Sequence, residues 1–258
     1  MGLADQSFYI GTILLERNRH RAGRMPSYRV SEWVARFRQA GFAGMELWEN
    51  HARLADPAEQ AAIVAGGFLI SVFNAYCEFS DAPAAATGRA QSAALVRETK
   101  APAVKYNVGG DPALEPTYLR NVAAWADALP PRTRLLCECH AGTIAETPAA
   151  AKRLLDALAA ARPAAHFGAI VHMPADARIA EWFDALGERV EHLHVVLKPP
   201  AEDPGDATLR ERTRVLRDRG FDGSFTLEFT EGMNAPDEQI DVMWQRALRD
   251  LGRLRAAL

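Results

Sequence analysis

The chain has 258 residues, 48% of them hydrophobic, and a formal net charge of -3. That length suffices for one sizeable core and lies near the limit beyond which chains divide into domains. The two signs of charge are interspersed with no long basic block, which argues against nucleic acid as a partner and leaves a neutral or weakly anionic small molecule.

The first residues, MGLADQSFYIG, lack the basic start and continuous apolar segment of a signal peptide. No run approaches the ~18 apolar residues of a membrane span, so a cytoplasmic protein without a membrane partner is expected. From there, apolar β-rich runs alternate with longer amphipathic stretches. The runs read as strands are SFYIGTILL, GMELW, FLISVFNAY, VKYNVG, RLLCEC, FGAIVH, VEHLHVVL and SFTLEF. Between them VSEWVARFRQAG, GRAQSAALVRETK, TYLRNVAAWADAL, TPAAAKRLLDALAAA, IAEWFDALGE and LRERTRVLRDRG carry apolar residues at helical spacing. The segment from Pro236 to the C-terminus is read as the last and longest helix. Gly41, Gly187 and Gly220 follow such stretches, where a helix-ending residue of positive φ is expected.

Eight strands in about 250 residues, alternating with amphipathic stretches, predict an α/β fold, a closed (β/α)8 TIM barrel spanning 1–258 as a single domain. KPPAEDPGD, from Lys198 to Asp206, is the most loop-like segment. It follows a strand, which in a barrel puts it on the face that carries chemistry. Cys77, Cys137 and Cys139 are odd in number and lack zinc-ribbon spacing, so they are read as reduced thiols.

RLLCEC raises a question, because it carries the carboxylate of Glu138 at the end of an apolar strand. The next strands repeat the pattern: His172 ends the sixth, His194 lies in the seventh and Glu228 ends the eighth. Neighbouring strands in a barrel stand about 5 Å apart, so these side chains converge. Two carboxylates and two imidazoles at one point can hold one divalent metal ion with positions left for substrate. Each also has a plain structural reading: a lone His is commonly a hydrogen-bonded core residue, and Glu138 could pair with Lys105 or an Arg. Repetition on four consecutive strands favours the metal site.

Four motifs extend the pattern. GFAGMELWENH resembles the second-strand motif of the xylose isomerase-like sugar (phosphate) isomerase and epimerase TIM barrels. ECHAGTIAETP resembles that family's fifth-strand Glu with its following His-x-Gly-Thr, HLHV its seventh-strand His and TLEF its eighth-strand Glu. The resemblance implies that Glu138, His194 and Glu228 are metal ligands. The family's sixth strand usually ends in Asp, often followed three residues later by His. Here the stretch is His172-Met173-Pro174-Ala175. A histidine in the aspartate's place makes the ligand set less negative and favours Mn, Fe, Co or Zn over Mg.

The resemblance also implies the chemistry, proton transfer beside a carbonyl through a metal-stabilised enediolate, with Glu138 and Glu228 as the catalytic base and acid. His172 and His194 would then be ligands only. Candidate substrate-binding residues are Glu46, Trp48, His51, Asn74, Lys105, Asn107, His140 and Lys198, each with a packing or ion-pair alternative. His192 is expected deeper, as a core histidine, and His20 and His166 are assigned no role.

Other activities remain open. A lyase of inosose dehydratase type would use the same proton abstraction before losing a β-hydroxyl. The DNA-repair endonuclease branch of the fold, with three metals, needs further His and Asp ligands. Ala175 stands where one would be, and no Asp-x-His follows His194. A degenerate barrel that only binds is the last alternative. Members of the family often form dimers or tetramers, so the resemblance allows a homo-oligomer.

Overall fold

The computed structural model describes residues 6–174, 176–230 and 239–258. Eight parallel strands follow one another around a closed barrel: β1 (Phe8–Gly11), β2 (Gly44–Trp48), β3 (Ile70–Asn74), β4 (Ala103–Tyr106), β5 (Arg134–Glu138), β6 (His166–Met173), β7 (Val190–Val195) and β8 (Ser224–Leu227). The ring closes where β1 pairs with β8, Tyr9 opposite Thr226. Outside it run α1 (Val34–Gln39), α2 (Glu49–Arg53), α3 (Pro57–Ala65), α4 (Pro83–Thr99), α5 (Glu115–Ala128), α6 (Pro148–Ala161), α7 (Ile179–Leu186), α8 (Ala207–Asp218) and α9 (Ile240–Ala257).

Strand side chains alternate between the helices and the barrel interior. Ile10, Leu47, Phe73, Val104, Cys137, Val171, Leu193 and Phe225 face outward into the large core shared with the helices. Full burial of such a side chain contributes about 1.5–3 kcal/mol. On the other parity, Val72, Ala103, Leu136 and Ile170 form a small separate layer inside the barrel. Two positions further along the same strands stand Asn74, Lys105, Glu138 and His172. The apolar layer is therefore the floor beneath the polar strand ends.

Three local readings differ from the structure. SFYIGTILL is strand only to Gly11, and Thr12–Leu15 form a 3-10 turn with all four side chains buried. Pairing with β2 ends at Gly11 opposite Glu46, and there Thr12 Oγ1 accepts the Trp48 N–H at 2.9 Å, turning the chain over the barrel end. The segment between β2 and β3 holds two helices that the periodicity did not show. Asp56 caps the second, accepting from the Glu59 N–H at 2.9 Å with Pro57 in the first turn. Asp-Pro-x-Glu was a readable start signal. His166, expected in a loop or at a helix end, opens β6.

The glycines expected to end helices, Gly41, Gly187 and Gly220, all have positive φ. The three cysteines are free. Helix α9 is the longest of the described helices at 18 residues. Pro236, where its beginning was placed, lies outside the described residues, as does Ala175. Among the described residues, no helix is long and apolar enough to cross a membrane.

Candidate active site

Glu138, at the end of β5, is 4% exposed, and donors from three strands or the loops just after them reach it. Lys105 Nζ donates to its Oε2 at 2.6 Å, and Asn107 Nδ2 donates to the same oxygen at 2.6 Å. On its Oε1, His172 Nε2 lies at 3.1 Å and His194 Nδ1 at 3.0 Å. The buried charge at the strand end is thus compensated by β4 on one side and by β6 and β7 on the other, as a desolvated carboxylate requires.

His194, 0% exposed, is the hub. Its Nδ1 is also 3.3 Å from Glu228 Oε2, and its Nε2 is 3.0 Å from Glu46 Oε2. One ligand atom from each of Glu138, His172, His194 and Glu228 lies within 4.8 Å of the others. Bonds of about 2.0–2.2 Å to one ion put adjacent donors about 2.8–3.1 Å apart in an octahedron and about 3.3–3.6 Å apart in a tetrahedron. The separations of 3.0, 3.1 and 3.3 Å fall within that span. Two carboxylates and two imidazoles are a donor set suited to a borderline divalent ion. The residues therefore fit a metal ion.

Electrostatics favour a cation at the same point. Burial opposes charge on Glu138, but Lys105 and the two histidines outweigh it and hold the carboxyl well below its usual range. Burial likewise opposes charge on Glu46, yet His194 and His192 hold it low. Against its own burial, His194 is pushed well above the usual imidazole range by Glu228, Glu46 and Glu138. Burial penalises the Lys105 ammonium too, and Glu138 overrides it. Three buried carboxylates thus converge with one lysine among them, and a proton on His194 supplies positive charge that a divalent ion would supply more fully.

Glu46, His192 and His194 make a second close grouping. His192 is 1% exposed, its ring nitrogens engaged by Ser224 Oγ and Thr226 Oγ1, each at 2.8 Å. Burial, more than any neighbouring charge, lowers its pKa. It is the core histidine expected from its depth.

The residues expected to meet substrate divide into groups. Lys105 and Asn107 contact Glu138 directly, and His140, with its side chain 41% exposed, pairs with Asn107 through Nε2 at 2.9 Å. His172, its side chain 25% exposed, stands beside them at the opening. Glu46 lies behind His194, 1% exposed, with Asn74 Nδ2 donating to its Oε1 at 2.8 Å. Trp48 is fully buried, edge-on to His51 and beneath Arg24. His51 has both ring nitrogens engaged, by Thr12 Oγ1 at 2.9 Å and Glu16 Oε2 at 3.0 Å, so neither faces open space. Lys198 is exposed, and its carbonyl accepts from Arg253.

Sequence reading missed the wall beside Asn107. A cavity of about 290 Å³ is lined there by Tyr76, Cys77, Phe79, Val108 and Tyr118 among others. Tyr76 follows Asn74 at the next like-parity position, a signal that was available. Its ring also carries Arg24 at 4.3 Å and Lys105 Nζ at 5.0 Å. Tyr118 sits on α5, and only the folded chain brings it to the loop after β4.

No family model matches this chain, and no curated protein matches it by sequence. Solved structures match its fold. 3-Keto-D-glucoside 4-epimerase YcjR from E. coli is 14% identical at a TM-score of 0.64, covering 97% of this chain and 99% of that one. A xylose isomerase domain protein from Planctomyces limnophilus is 13% identical at a TM-score of 0.58, covering 97% and 96%. Endonuclease IV from Thermus thermophilus is 15% identical at a TM-score of 0.60, covering 97% and 98%. The chain has the fold of the xylose isomerase-like TIM barrels.

Proposed function

We propose that this protein is a divalent-metal-dependent isomerase or epimerase that moves a proton beside the carbonyl of a sugar, polyol or related hydroxy-ketone. The observation that carries the reading is the convergence of Glu138, His172, His194 and Glu228 on one point at the carboxyl ends of β5 to β8. That is the face on which TIM barrels place their chemistry. Sugar epimerases and isomerases among the proteins that share the fold support it.

An ion held by these four side chains would polarise the substrate carbonyl and stabilise the enediolate left when the proton departs. The protein's own groups divide the remaining work. Glu138 is engaged by Lys105, Asn107, His172 and His194, so it accepts a further proton poorly. Glu228 has its 3.3 Å contact with His194 as its one close side-chain partner among the described residues, which makes it the base that takes the proton first. His140 and Asn107, at the opening, are placed to hold substrate hydroxyls.

Metal content by mass spectrometry, on protein purified without chelator, tests the site. The expected result is about one Mn, Fe, Co or Zn per chain, falling in His172→Ala. Absence of metal from the wild type after reloading would overturn the reading. Incubation with a ketose panel in deuterated buffer tests the chemistry, with deuterium expected beside the carbonyl. A product lighter by one water would instead identify the dehydratase that the same proton abstraction permits.

A further inference from the structure

We propose that Glu46 is a positioning residue that sets the tautomer and ring orientation of His194 for metal binding. This rests on the metal-site reading above. Glu46 lies on β2, across the barrel interior from β7, and is 1% exposed. The side chains of His140 and His172 are part-exposed, whereas Glu46 is closed off from solvent.

The geometry gives Glu46 a different partner. Its Oε2 lies 3.0 Å from His194 Nε2, while Nδ1 of the same ring faces Glu138 at 3.0 Å and Glu228 at 3.3 Å. When an ion displaces the Nδ1 proton, an imidazole that still donates Nε2–H to a carboxylate presents its Nδ1 lone pair to that ion, on the side of the ligand cluster. Glu46 is itself held: Asn74 Nδ2 donates to its Oε1 at 2.8 Å, which turns the other oxygen toward the ring. Carboxylates behind ligating histidines fix the tautomer, orient the ring and raise its basicity.

A second ion among Glu46, His192 and His194 fits less well. Both His192 nitrogens are engaged by hydroxyls, and Glu46 Oε2 stands 3.6 Å from His192 Nε2 against 3.0 Å from His194. A buried carboxylate kept in this place costs several kcal/mol unless it is paired. Its pairing with His194 joins the floor of the site to the ligand set.

The test is zinc affinity by competition with a chromophoric chelator, on the full chain as wild type, Glu46→Gln and Asn74→Ala. Glu46→Gln preserves volume, and the metal-free thermal midpoint checks folding. The expected result is zinc affinity at least about tenfold weaker for Glu46→Gln, with a smaller loss in the same direction for Asn74→Ala. In the zinc-loaded wild type, ¹⁵N spectra should show His194 protonated at Nε2 and metal-bound at Nδ1, a signature that a merely structural Glu46 would not affect. Zinc affinity of Glu46→Gln within about twofold of wild type, or a His194 ring metal-bound at Nε2, overturns the proposal. If the wild type itself takes up no zinc, the metal site falls and this inference with it. If the wild type loads and Glu46→Gln loads equally well, only the positioning role falls.

Discussion

Lys105 and Glu138 show most directly how the site is balanced. The lysine is 2% exposed and the glutamate 4%, so their 2.6 Å pair is shielded from water. Removing one partner of such a pair leaves an uncompensated buried charge, which costs about 3–5 kcal/mol. Lys105→Met should lower the unfolding free energy of metal-free protein by about that amount, measured in urea with chelator present. The same substitution deletes a positive charge from the ligand cluster, so it should tighten divalent-ion binding in a competition titration. Weaker binding would mean that Lys105 holds Glu138 in its ligating geometry. At this scale the sequence was informative about residue type. A charge closing an apolar strand pointed to Glu138, and its repetition pointed to His172, His194 and Glu228. Partnerships were less legible, because they depend on register. Nothing in the local pattern says that Glu46 reaches His194 or that His51 is held by Thr12 and Glu16.

Between elements, the loops after β4 and β5 must lie very close together, and a Cβ on Gly110 would collide with the Gly142 carbonyl oxygen. These loops carry Asn107 and His140, whose 2.9 Å contact crosses the gap. Gly110→Ala should cost about 1–3 kcal/mol in overpacking and weaken ligand binding by parting that contact. Thermal midpoint and ligand titration would separate the two effects. On the opposite side, Glu16 ties the turn after β1 to α2 through His51 Nε2 at 3.0 Å and to the Ser27 N–H at 2.9 Å. Burial alone would raise its pKa, but His51 and Ser27 hold it below its ordinary value of 4.5. A depressed carboxylate stabilises the fold above its unfolded value, and that contribution is lost as pH falls through the folded one. The wild type should therefore lose stability below about pH 4.5 more steeply than Glu16→Gln, as urea midpoints across that range would show. Most strands and crossover helices were legible because their periods are two and 3.6. The turn at Thr12–Leu15 was not, since an apolar run fits either a strand or a buried helical turn. Helices α2 and α3 escaped because they are short, five and nine residues.

Over the whole molecule, the barrel was the most legible feature, since eight strands alternating with helices admit few closed arrangements. The cavity at its opening was the least, being built from loops and from α5 that only tertiary folding brings together. Leu136, 1% exposed in the inner layer, offers a test of whether floor and site are separable. Leu136→Ala should lower stability by about 2–5 kcal/mol in urea while metal stoichiometry stays at the wild-type value. The floor has one more consequence. Val72, Ala103, Leu136 and Ile170 lie one inward-facing step below Asn74, Lys105, Glu138 and His172. Among the described residues, the part-exposed side chains of His172 and His140 stand where an ion held above this layer would be approached. On the proposed function, a substrate held at that opening would cover the ion and slow its removal by chelators.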